Sequence, residues 1–232
     1  MYSKKKSKKA PGNRKIWKAT VPAILLAIIF TGIVVGMSYF RKSLFTVMTV
    51  PDFQLMDQNG KMISNKDMLG KVYLVEFFYS TCPTICPVMN NNMKFVDREI
   101  NSPDFGIISV SIDPKRDTPE VLKKHADALG VKNPNWHFLT GDRDYIGKIA
   151  DEFNIYVGDK EDESESLNHS GMIALVDKYG KIRCRYGTNH TPILYYSGLN
   201  YKDPEGKTPQ LNGPYHPERQ WLVEDIRKLL DE

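Results

Sequence analysis

The chain has 232 residues, 41% hydrophobic and 26% charged, which is ordinary for a globular protein of one or two domains. Its formal net charge of +4 is uneven: residues 1–42 carry ten Lys or Arg and no acid, leaving 22 basic against 28 acidic side chains from Ser43 onward. That acidic remainder gives no support to nucleic-acid binding, and three cysteines are too few for a disulfide framework.

Residues 1–18 read as a basic cytoplasmic tail. From Ala19 to Phe40 runs ATVPAILLAIIFTGIVVGMSYF, 22 residues without a charge. At about 1.5 Å per residue a helix of that length spans roughly 33 Å, enough for a hydrocarbon core of roughly 30 Å. Trp17 and Tyr39 stand at its ends, where interfacial aromatics belong. The run is longer than the apolar part of a cleaved signal peptide, and GMSYFRK is a poor cleavage site. We therefore expect a single-pass anchor over 19–40 in a bacterial inner membrane. The excess of positive charge on its N-terminal side keeps that end cytoplasmic and exports the rest.

A linker is expected over 41–50 and one folded domain over 51–232. In that domain FQLMDQNGKMI reads as a hairpin turning at QNG, and VYLVEFFY, Val72 to Tyr79, as a central strand buried on both faces. The segment from about Thr84 to Ile100 places Ile85, Val88, Met89, Met93 and Val96 at helical offsets. FGIISVSID is a second buried strand. DTPEVLKKHADALG is a helix capped by Asp117 or Thr118 and stopped by Gly130. NWHFLTG reads as a strand, a helix starts near Asp142, GMIALVDKYGKIRCRY forms a hairpin, and ERQWLVEDIRKLLDE closes the chain as an amphipathic helix. This order predicts one α/β domain with a mixed central sheet flanked by helices. Two irregular stretches remain: the acidic 158–168 and the long Pro/Gly/Tyr-rich 187–217, of a length that is usually functional or disordered.

Cys82 and Cys86, in STCPTICPVM, fall between a strand end and a helix start. Four residues apart on a helix they share a face, and a slightly unwound first turn suits either a disulfide or two thiolates on one soft metal. An exported domain meets an oxidising compartment, which favours reactive over inert cysteines. The helix N-terminus is expected to lower their pKa values. Thiolates select Cu(I), and imidazole suits copper as well. Of the five histidines, His125 reads as a surface residue of its helix and His137 as a structural strand residue, while His190 and His216 lie in the long connection. His169, at a loop-to-strand junction in LNHSGMIALVD, can overhang the strand end beside Cys82.

FFYSTCPTICPVM, SVSIDPKRDTPEVLKKHADALG and NHSGMIALVDKYGKI together resemble the three signature regions of the Sco/SenC copper-chaperone family, over about Val50 to Tyr186. The resemblance implies a thioredoxin-like domain on one membrane anchor, with one copper ion held by Cys82, Cys86 and His169. It implies a role in assembling the dinuclear copper centre of cytochrome c oxidase subunit II, by copper delivery, by reduction of that subunit's cysteines, or both, with a donor protein supplying the metal. Thr84 stands where many members have an aspartate. Cys184 matches no ligand and reads as structural. Asp113, Arg116 and Asp117 read either as a conformational or docking element beside the site or, the reading preferred, as a strand end, a salt-bridged turn and a helix cap. Tyr195, Tyr196, Tyr201 and Tyr215 form either a partner surface or packing over the sheet. Two rival readings use the same cysteines: a dedicated thiol-disulfide oxidoreductase, in which Cys82 and Cys86 are the catalytic redox pair, and a redox-sensing interaction protein. A general disulfide enzyme is disfavoured by the CxxxC spacing and by HSG where a cis-proline is usual.

Overall fold

The computed structural model describes residues 24–33, 44–83, 85–155, 171–187, 192–199 and 218–232, together with Pro22 and Gly36. The chain divides into two units, Met1–Ser43 and Leu44–Glu232. In the first, residues 24–33 are helical and exposed. No helix among the described residues is long and apolar enough to cross a membrane, and the expected span 19–40 lies partly outside them.

The second unit contains strands β1 (Phe45–Thr49), β2 (Gln54–Asp57), β3 (Met62–Ser64), β4 (Val72–Phe78), β5 (Phe105–Ser111), β6 (Trp136–Thr140), β7 (Met172–Val176), β8 (Lys181–Tyr186), β9 (Pro192–Ile193) and β10 (Tyr196–Ser197). Its helices among the described residues are α1 (Ile85–Ile100), α2 (Pro119–Leu129), α3 (Arg143–Glu152) and α4 (Glu218–Asp231), with a 3-10 turn at Asn65–Met68. The sheet order among the described residues is β1-β8-β7-β4-β5-β6-β2-β3. β4, β5 and β6 run parallel; β7 is antiparallel to β4, and β2 to β6. This is the mixed sheet expected from the element order.

The segment 41–50, expected as a linker, is folded from Leu44 onward. β1 is an edge strand antiparallel to β8, and Phe45 packs its ring 4.8 Å from that of Tyr186. FTVMT is rich in β-branched and aromatic residues, and the outer side of β8 offers it a ladder of backbone partners. Every residue of β4 and of β5 is buried, as strands covered on both faces require.

Local chemistry sets the element ends. α2 is capped by the Thr118 hydroxyl, which accepts from the Val121 N–H at 3.4 Å. It stops at Gly130, whose φ of 69° places it in the left-handed region that glycine tolerates. α3 is capped by Asp142, which accepts from the Tyr145 N–H at 2.9 Å. The β2–β3 and β7–β8 turns share one device. Asp57 accepts the Asn59 and Lys61 N–H groups, and Asp177 accepts those of Tyr179 and Lys181.

The stretch 192–199, within the long irregular connection, is packed onto the domain. β10 pairs with the start of β7. The buried Tyr196 donates its hydroxyl to Asp225 at 2.8 Å, and Tyr195 donates to the Phe153 carbonyl. These two tyrosines pack over the sheet; Tyr201, Tyr215 and the acidic 158–168 lie outside the described residues.

Candidate metal and redox site

β4 ends at Phe78, and the chain turns through Tyr79–Pro83 into α1. The turn closes with the Cys82 N–H donating to the Tyr79 carbonyl at 3.3 Å. Both cysteines are buried thiols. They are neighbours across the helix start: the Cys86 N–H is directed at Cys82 Sγ, 3.5 Å away. The Tyr79 N–H is directed at the Cys86 sulfur, and the Tyr79 hydroxyl at that of Cys82.

The expected lowering of thiol pKa fails at Cys86. Burial drives this thiol well above its ordinary value; the Tyr79 N–H opposes the rise, while Cys82 and Glu76 add to it. Cys86 is the second residue of α1, but removing its sulfur from water outweighs the peptide groups around it.

Glu76 is the one charged residue within β4 and is fully buried. Burial pushes its carboxyl up to about 7, against the opposing hydrogen bond from the Ser109 hydroxyl at 2.7 Å. Trp136 Nε1 donates to that same hydroxyl at 3.1 Å. The other carboxyl oxygen has no partner among the described residues. A lone acid inside VYLVEFFY was the available sequence signal.

The Asp113–Arg116 pair is a surface ion pair, 3.0 Å long and three residues apart, as the turn reading expects. Asp117 differs. Thr118 is the cap, and the Asp117 carboxylate is buried, accepting from Ser111 Oγ at 2.5 Å, the Ser80 N–H at 2.9 Å and the Ser80 hydroxyl. It therefore joins the end of β5 to the cysteine turn, a contact 37 residues apart that local spacing cannot reveal.

His169 lies outside the described residues, as do His190, His216 and Thr84. Gly171, two residues beyond His169, has φ 63°, and a Cβ there would meet Leu199 Cδ1 at 3.4 Å and Ile85 Cδ1 at 3.8 Å. Ile85 directly precedes Cys86. The Gly198 N–H donates to the Gly171 carbonyl at 2.8 Å, and buried Asn92 of α1 donates to the Gly198 carbonyl at 2.5 Å. The segment after His169 is thus tied to the cysteine-bearing helix.

His125 is not a surface residue. It is half-buried between Phe78 and Phe138, with ring centroids at 5.5 and 5.6 Å, and Nε2 sits 3.0 Å from Asn90 Nδ2. Burial lowers its pKa, with Asp117 opposing. His137 is structural, its Nδ1 3.2 Å from Asp57. Cys184 is structural too, its buried thiol donating to the Leu194 carbonyl at 3.0 Å, and burial pushes it up to about 12.

Two adjacent sulfurs are the donor chemistry of a soft metal such as Cu(I). Among the described residues no three His, Cys, Asp or Glu side chains gather as a metal site.

The chain matches the SCO1/SenC family model over residues 41–200. It is 34% identical over 150 residues to the SCO1 protein homolog of Bacillus subtilis, covering 62% of this chain and 76% of that one. Among solved structures, BsSco, described as a member of the Sco family of cytochrome c oxidase assembly proteins with a disulfide switch, aligns at 26% identity and TM-score 0.59, covering 80% of this chain and 95% of that one. Copper-bound ScoI of Bradyrhizobium japonicum shares the fold at TM-score 0.57 and 24% identity, covering 79% and 100%. With the paired thiols at the end of β4 and a family match spanning more than half its length, the chain belongs to the SCO1/SenC family.

Proposed function

We propose that this chain binds one copper ion as cargo through Cys82, Cys86 and His169 and assists assembly of cytochrome c oxidase, its client being the dinuclear copper centre of subunit II. A single-pass anchor over 19–40, with the N-terminus cytoplasmic, would hold the copper domain outside the cytoplasm at the inner membrane. The observation that carries the reading is the facing pair of buried thiols, with the Cys86 N–H 3.5 Å from Cys82 Sγ. Support for His169 comes from Gly171. Gly171 lies beside Ile85, the residue before Cys86, and His169 precedes it by two residues, a stretch of at most about 7 Å. Copper would supply a soft centre for the two thiolate sulfurs that an imidazole also suits. The protein's part is to hold two thiols together, to give up their protons on loading, and to keep the pair out of bulk water.

A second reading, reduction of the client's cysteines, has its own support. The same two thiols are neighbours across the helix start, so the pair that holds a metal can also close into a disulfide, and BsSco is described as containing a disulfide switch. The test uses the full chain in mild detergent with Cys82→Ser and Cys86→Ser. The proposal expects one Cu(I) per wild-type chain, loss of binding in each variant, and failure of each variant to restore oxidase assembly in cells lacking this chain. Assembly restored by a variant that binds no copper would sink it.

A further inference from the structure

The most heavily bonded buried acid near the cysteines is Asp117. Its carboxylate is fully buried and accepts three hydrogen bonds, two of them from the single residue Ser80. The helix that follows does not use this carboxylate, because Thr118 supplies the cap. Burying a carboxylate is costly unless donors surround it, and two of the three donors here come from the loop that leads into Cys82. Ser80 precedes Cys82 by two residues. The flanking Thr81 and Pro83 are exposed, so neither packs the loop onto the core. The approach to Cys82 is held on one side by Ser80 and the Cys82 N–H bond to the Tyr79 carbonyl, and on the other by the start of α1. Ser111, at the end of β5, fixes the carboxylate from below and receives the Asp113 N–H at 3.1 Å, which ties the clamp to the sheet.

We propose that Asp117 is a positioning residue for the cysteine pair: its buried carboxylate clamps Ser80 and so keeps Cys82 facing Cys86, as metal binding and disulfide formation both require. The idea rests on Cys82 and Cys86 being the functional pair. It predicts that the geometry of the two thiols depends on an acid outside the cysteine motif.

The test uses the full chain in detergent, reduced and metal-free. Alkylation rates of Cys82 and Cys86 are followed by mass spectrometry, and Cu(I) affinity is measured by competition. The variants are Asp117→Asn, Ser80→Ala and Ser80→Thr, with Asp57→Asn as a buried turn carboxylate in the β2–β3 hairpin. Losing a hydrogen bond to a charged group corresponds to about tenfold or more. Asp117→Asn and Ser80→Ala are therefore expected to speed Cys82 alkylation about tenfold and to weaken Cu(I) binding by a similar factor. Ser80→Thr keeps the hydroxyl and should return both to within about twofold of wild type. Asp57→Asn should lower thermal stability and leave both readouts unchanged. Alkylation decides. Wild-type rates in Asp117→Asn and Ser80→Ala, or an equal rise in Asp57→Asn, overturn the proposal. If Asp117→Asn does not fold, the Ser80→Ala and Ser80→Thr pair decides alone. A wild-type chain that binds no copper defeats the proposed function, while the alkylation rates still judge Asp117.

Discussion

Replacing Glu76 by Gln isolates what a buried acid in the central strand does to stability. In the folded chain burial raises this carboxyl from the ordinary 4.5 to about 7. Below pH 4.5 it is neutral both folded and unfolded, and it contributes no pH dependence. Between pH 4.5 and 7 the unfolded chain has released the proton and the folded chain still holds it. Unfolding is then increasingly favoured as pH rises, and the loss levels off above pH 7. At roughly 1.4 kcal/mol per pH unit the full loss is about 3 kcal/mol, a large share of a typical domain stability of about 5–15 kcal/mol. Glutamine has no such equilibrium, and its amide oxygen can still accept the Ser109 hydroxyl. Denaturant unfolding of both metal-free proteins at pH 4.5, 6 and 8 should show Glu76→Gln gaining on wild type by about 3 kcal/mol across that range. Other titrating groups cancel in the difference. A difference that stays flat with pH would refute the assignment of a neutral, buried Glu76.

Three further outcomes are expected. Cys184→Ala removes a buried thiol and its bond to the Leu194 carbonyl, so it should cost about 1–2 kcal/mol by denaturant unfolding and leave Cu(I) affinity unchanged. Weakened copper binding would make Cys184 more than structural. Asp225→Ala leaves Arg185, the Tyr196 hydroxyl and Lys228 without the buried carboxylate they share. It should destabilise by about 3–5 kcal/mol, measured as a thermal shift, and a loss under about 1 kcal/mol would contradict the buried network. Because burial raises the Cys86 thiol, copper loading at the proposed site is expected to displace its proton. Cu(I) affinity should therefore fall at least about tenfold per pH unit as pH drops from 8 to 6, and a flat profile in competition titrations would argue for thiolates already present.

The sequence carried much of the architecture because periodicity and caps are local. The run Val72–Phe78, a helix start at Asp117 or Thr118, another near Asp142, the Gly130 stop and the two hairpin turns were all visible as patterns. β1 was not, since an edge strand becomes a strand only when β8 is there to pair with it. At the site, the CxxxC pair stood out by spacing alone. What spacing could not supply was environment. The pKa of Cys86 is set by burial under a folded sheet rather than by its place at a helix start. Asp117 reaches Ser80 across 37 residues. His125 looked like a surface residue because its helix is polar around it, yet Phe78 and Phe138 come from two strands to cover its ring.

The most direct test of the account is a Cu(I) competition titration of the reduced full chain against its His169→Ala variant. One copper per wild-type chain, and binding at least about tenfold weaker in the variant, is the result expected if two thiols and one imidazole form the site. Near-equal affinity in the two proteins would contradict it.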